Sequence, residues 1–170
     1  MKSFKLALVL GSVSLIVAMS WQTTVEAQRY PPTFTERTGR TYTCYAPHRF
    51  THQIVPVVGT NGRAAGFWGY ATYNNTGWPV IIFDVSQLSR LPDIVIRFTY
   101  YHECAHLRLQ TRNEIKANCA ALQEMRKNGD LSKRGEEIVE EVTRSLGPLG
   151  PQYGGSGQAF WDATLRCAGR

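Results

Sequence analysis

The sequence predicts an α+β fold: a small, mainly antiparallel N-terminal sheet followed by a helical part, the two stapled by disulfides. Three observations carry this expectation. Short runs rich in aromatic and β-branched residues, broken by turn signals, fill residues 41–84. From about Leu91 the apolar residues recur at three- and four-residue steps, the period of a helix. Four cysteines, Cys44, Cys104, Cys119 and Cys167, are spread over both regions, an even number that fits two bridges with three possible pairings.

Residues 1–27 read as a signal peptide. MKSFK is a short basic head, LALVLGSVSLIVAM an apolar stretch, and Val25-Glu26-Ala27 a site for cleavage after Ala27. The alternative is an uncleaved anchor, for which the apolar stretch is short against the roughly 20 residues of a full span. Export, to the periplasm or the medium, is therefore expected, and it suits disulfides. Residues 28–43 are polar and Pro-bearing and read as an extended N-terminal arm. Residues 44–170 are expected to form a single domain. TYTCYAPHRFTHQIVPVVG (41–59) reads as one or two strands interrupted near Pro47, and TNG (60–62) as a turn. AAGFWGYATY (64–73) reads as a returning strand, NNTG (74–77) as a turn and PVIIFD (79–84) as a short apolar strand.

The first long helix has Leu91, Ile94, Val95, Phe98, Tyr101 and Ala105 along its stripe, with Pro92 in its first turn. A second helix, roughly 113–127, carries Ile115, Cys119, Leu122 and Met125 and stops at Asn128-Gly129-Asp130. A third runs from Ser132 to about Leu146, its glutamates at 136, 137, 140 and 141 forming a solvated face. GPLGPQYGGSG (147–157) is a glycine-rich loop, and Phe160–Cys167 a last helix with Ser156 as cap.

Loss of the leader removes Lys2, Lys5 and Glu26 and lowers the net charge from +6 to +5. The basic residues are scattered and match no base-reading module, so nucleic acid is not an expected partner. A modest positive charge favours anionic material such as a cell surface. An anionic-polymer binding module would rest on that charge alone.

Chemistry concentrates in YHECAHLRLQTRNEIKANCA (101–120). His102 and His106 lie one helical turn apart on one face and can present imidazole nitrogens to one metal ion, while Glu103 can reach a water beside that ion. Catalytic zinc normally has three protein ligands and an open position. Glu114 is the natural third. On an unbroken helix it would lie about 12 Å along the axis from His106, so the polar QTRN (110–113) must reverse the chain. Two readings of that turn are open. Thr111-Arg112-Asn113-Glu114 has the form of a capping box that would occupy Glu114, or Asn113 caps the helix and frees the Glu114 carboxylate. His48 and His52 are also four apart, but on a strand they would stand about 13 Å apart and could not share an ion.

HECAH followed by NEIKANC resembles the glutamate-zincin peptidases, whose second motif is Glu-x-x-x-Asp, often Glu-x-x-Ala-Asp. His102, Glu103, His106, Glu114 and Ala117 carry the match. The wider stretch 79–167 is similar to a group of small exported bacterial proteins of peptidase-like type. The resemblance implies Zn(2+) held by His102, His106 and Glu114, with Glu103 as general base in the hydrolysis of a peptide or protein substrate. It implies a residue orienting the first histidine; Asn118 stands where the family has Asp, and lacks its charge. An edge strand for an extended peptide is also implied. PVIIFD is the candidate, unless it is a core strand. The oxyanion donor in such proteins is a His, Tyr or Arg from elsewhere, and Tyr153 is the candidate here, with Arg166 in the same region. Cys104 points away from the metal face. Among the three pairings, Cys44–Cys104 with Cys119–Cys167 would anchor both motif helices. The alternative function is an exported zinc-binding structural or partner-binding protein without turnover.

Overall fold

The computed structural model describes residues 32–63 and 68–169. The leader, residues 28–31 of the arm and residues 64–67 of the predicted returning strand lie outside them. Among the described residues seven short strands come first: β1 (Phe34–Thr35), β2 (Thr41–Tyr42), β3 (Tyr45–Pro47), β4 (Ile54–Pro56), β5 (Val58–Asn61), β6 (Gly69–Tyr73) and β7 (Pro79–Phe83). Helices follow: α1 (Val85–Leu88), α2 (Asp93–Arg108), α3 (Glu114–Lys127), α4 (Lys133–Ser145) and α5 (Gly157–Ala168), with a 3-10 turn at Pro151–Tyr153 before α5. The α+β class is as the periodicity predicts. Of the helices, only α1 was not anticipated. It starts where Asp84 caps it by accepting the N–H groups of Ser86 and Gln87.

Among the described residues the β region is three small sheets. β1 and β2 form one antiparallel hairpin, β3 and β4 another, and the third has the order β5-β7-β6. β6 pairs antiparallel with β7, whereas β5 pairs parallel with it. PVIIF is thus the central strand of this sheet, and the edge beside α2 belongs to β6. The physical reason lies in its composition. Ile81 and Phe83 are buried, and a near-continuous apolar run suits a strand flanked on both sides.

Residues 32–43 do not extend away. Thr33 Oγ1 donates to the Val57 carbonyl and accepts the Cys44 N–H. Gly59 is required at this contact, since a Cβ there would lie 1.6 Å from the Thr33 carbonyl oxygen. Glu36 is buried and ion-paired with Arg97 of α2, and Tyr42 donates its hydroxyl to the same carboxylate. Arg97 and Arg40 reach on to Asp130, between α3 and α4.

α2 runs through the middle of the molecule. Its buried residues include Val95, Phe98, Tyr100, Tyr101, Cys104 and Leu107, on nearly every side, because α3, α4, β3, β6 and β7 all pack on it. Burial of Val95, Phe98 and Leu107 stabilises the fold by about 1.5–3 kcal/mol each relative to exposure. The four cysteines pair as Cys44–Cys104 and Cys119–Cys167, tying α2 to the start of β3 and α3 to α5. On α4, Glu136 is not part of a solvated face: it is buried and receives two bonds from Arg126, beside the fully buried Val139.

Candidate metal centre

The centre depends on how the chain turns between α2 and α3. Leu109 ends α2, and Gln110 adopts a left-handed conformation with φ of 47°. The Thr111 N–H then bonds the His106 carbonyl, and the Gln110 N–H bonds the Leu107 carbonyl. This is a Schellman ending, and it reverses the chain within four residues. Asn113 caps α3 by accepting the Lys116 N–H at 2.8 Å. Thr111 only accepts the N–H of Asn113 at 3.1 Å. Of the two readings of this turn, capping by Asn113 holds. Glu114, the first residue of α3, has its carboxylate free to swing back to α2.

Three donor atoms meet there. His102 Nε2 lies 3.0 Å from His106 Nε2, and Glu114 Oε2 lies 3.1 and 3.2 Å from these two nitrogens. The other ring nitrogens are engaged elsewhere. His102 Nδ1 faces Asn118 Oδ1 at 2.7 Å, and His106 Nδ1 faces the Thr111 carbonyl at 2.8 Å. Both of those partners are acceptors, so each Nδ1 carries a proton; Nε2 then presents a lone pair in the neutral ring and bonds the Glu114 carboxylate in the protonated one. Two imidazole lone pairs and a carboxylate oxygen in van der Waals contact repel unless a cation lies among them. A proton can serve; a metal ion serves all three at once. The set of two nitrogens and one oxygen matches zinc. Tetrahedral coordination at about 2.0–2.1 Å places donors about 3.3–3.4 Å apart, so the triangle needs to open by only a few tenths of an ångström.

The electrostatics agree. Burial pushes the Glu114 carboxyl up, but bonds from His102 and His106 outweigh it and hold the group down to about 2. Burial works against charge on His106, yet the Glu114 carboxylate and the Thr111 carbonyl overcome it, and its pKa stands above the ordinary histidine value. The side chains of His102, His106 and Glu114 keep 13, 12 and 17% exposure, so one face of the cluster opens outward. It opens into a cleft of about 890 Å³ lined also by Ala71, Tyr73, Glu103 and Tyr153.

Glu103 is buried in the cleft wall. Desolvation raises its pKa, against the pull of His102 and His106, and the Ala71 N–H of β6 bonds its carboxylate. Tyr153 sits on the 3-10 turn, edge-on to Phe160 with ring centroids 5.2 Å apart. Burial, then the negative charges of Glu114 and Glu103, push its hydroxyl up to about 12. Arg166 is exposed on α5 and does not line the cleft. His48 and His52 are not on a strand but in the turn between β3 and β4, where His48 Nδ1 accepts the N–H groups of Phe50 and Thr51. The backbone partners, Ala71 N–H and the Thr111 carbonyl, left no mark in the sequence. The same holds for Thr164, which bonds Asn118 from α5.

No family model, curated protein or solved structure matches this chain. Among the described residues no helix is long and apolar enough to cross a membrane. The geometry itself identifies the centre: His102, His106 and Glu114 form a cluster compatible with zinc coordination, beside a buried glutamate and an open cleft.

Proposed function

We propose that the chain is an exported zinc metallopeptidase. The observation that carries this is the convergence of His102 Nε2, His106 Nε2 and Glu114 Oε2 at the floor of a cleft that Glu103 also lines. A zinc ion there supplies Lewis-acid polarisation of a carbonyl and acidifies water. The remaining steps belong to the protein. Glu103, its pKa raised by burial, takes a proton from the attacking water and passes it to the leaving amide nitrogen. Tyr153 keeps its proton at neutral pH and donates it in a hydrogen bond to the developing oxyanion. Among the described residues β7 occupies only one edge of β6, and the other edge, apart from the Ala71 N–H bonded to Glu103, offers main-chain groups to an extended peptide. Pairing of all four cysteines in disulfides supports export.

The neutral Asn118 behind His102 favours a second reading, a zinc-binding protein without turnover, because an amide raises ligand basicity less than a carboxylate. Cleavage of a broad peptide library separates the two. The peptidase reading expects zinc-dependent cutting that falls by about 100-fold or more in Glu103→Gln, with zinc retained. Equal, negligible cutting by both proteins while each holds one zinc per chain would leave only the second reading.

A further inference from the structure

His102 can offer Nε2 to a cation only if its own proton sits on Nδ1, and the group that decides this lies on the last helix. Opposite Nδ1 stands the Asn118 side chain, whose two ends have nearly the same shape and opposite hydrogen-bonding character. With Oδ1 toward the ring, Nδ1 must donate and Nε2 is bare. With Nδ2 toward the ring, Nδ1 would have to accept, and the proton would occupy Nε2. Asn118 is 2% exposed, so bulk water does not choose between them.

Thr164 does choose. It is fully buried at 0% exposure, and its hydroxyl donates to the Phe160 carbonyl at 2.9 Å. Its oxygen therefore presents only lone pairs to Asn118, and Asn118 Nδ2 donates to it at 3.2 Å. Reversing the amide would break that bond and set Oδ1 against the hydroxyl oxygen. The Cys119–Cys167 bridge, one residue from Asn118 and three from Thr164, ties α3 to α5 where the two side chains meet.

We propose that Thr164 is a positioning residue: through Asn118 it fixes His102 in the Nδ1–H tautomer and leaves Nε2 free for a divalent cation. The inference rests on the metal-centre reading. It also gives Asn118 a physical account. A carboxylate accepts at both oxygens and needs no instruction, whereas an amide needs a second residue to orient it. Asn118 and Thr164 together do what one aspartate does alone, without a buried charge.

Thr164→Val keeps the shape and removes the hydroxyl; Thr164→Ser keeps the hydroxyl. Two readouts decide. The zinc dissociation constant, from competition with a chromogenic chelator, is expected to rise about tenfold or more in Thr164→Val and to stay within about twofold of wild type in Thr164→Ser. Two-bond ¹⁵N–¹H correlation spectra of metal-free protein at alkaline pH, recorded in a Glu114→Ala background so that no carboxylate draws the proton to Nε2, are expected to show His102 as the Nδ1–H tautomer with Thr164 in place and as a mixture with Thr164→Val. A purely structural Thr164 would lower the urea midpoint and move neither readout. Unchanged zinc affinity with an unchanged tautomer in Thr164→Val overturns the proposal. A wild type that takes up no zinc sinks the metal-centre reading instead, and the tautomer still decides whether Thr164 sets His102. Thr164→Ala is read in the same way if the valine methyl prevents folding.

Discussion

Gln110 is the residue on which the centre turns. Its left-handed backbone, φ of 47°, lets α2 end and α3 begin within four residues, and so brings Glu114 back to the histidines. A non-glycine residue pays about 1–2 kcal/mol for that conformation. Gln110→Gly is therefore expected to raise the unfolding free energy by about 0.5 kcal/mol, the relieved strain less the added freedom of the unfolded chain. A urea titration checks it, and a loss of stability would show that the Gln110 side chain contributes more than its backbone costs. The same residue explains what the sequence left open. The His102–His106 spacing was legible because one helical turn fixes it. Glu114 was not, because a glutamine in αL carries no glycine signal, and Thr111 and Asn113 both fit a cap. Thr164 was invisible for a different reason. Its role needs α5 laid against α3, a contact of 46 residues' separation that no local pattern records.

At the scale of elements, composition told more than alternation. PVIIF is apolar at every position, and that run is the mark of the central strand it becomes. The β6 edge was harder to read, since Gly69 weakens the strand signal. The β1–β2 hairpin reads as a polar arm because only Phe34 and Tyr42 of it pack on the core, beside a charged contact. Glu36 is buried against Arg97 and Tyr42. Burial raises the Glu36 pKa, but the Arg97 and Tyr42 bonds outweigh it and leave it below the ordinary value of 4.5. The sign follows: the pair contributes stability above about pH 4.5 that is lost as pH falls through the lower folded-state value. Glu36→Gln is expected to cost about 3 kcal/mol at neutral pH, because Arg97 is left without its charge partner. Urea midpoints measured from neutral to acidic pH should converge for wild type and Glu36→Gln. Parallel curves would show that the pair does not titrate as described.

At the scale of the whole molecule, the two bridges hold the site between them. Cys104 lies between His102 and His106 in sequence and pins α2 to β3, and Cys119 follows Asn118 and pins α3 to α5. The loops they close span 60 and 48 residues, which in the chain-entropy view stabilises the fold by about 4 kcal/mol each. Replacing both Cys44 and Cys104 by Ala is expected to lower the unfolding free energy by about that amount, measured by denaturant titration; no loss would mean that the packing of α2 alone carries the link. The fold class was legible because the hydrophobic period changes once, near Leu91. The three-sheet division was not, because strands of two to five residues leave register to tertiary contacts.

Zinc K-edge X-ray absorption on protein loaded with one equivalent shows whether His102, His106 and Glu114 hold the ion. The expected spectrum shows two imidazole nitrogens at about 2.0–2.1 Å with the remaining ligands oxygen, and no sulfur. Glu114→Gln should change the oxygen shell and leave both imidazoles. Sulfur scattering, a single imidazole, or zinc that stays in solution would rule out coordination by these three residues.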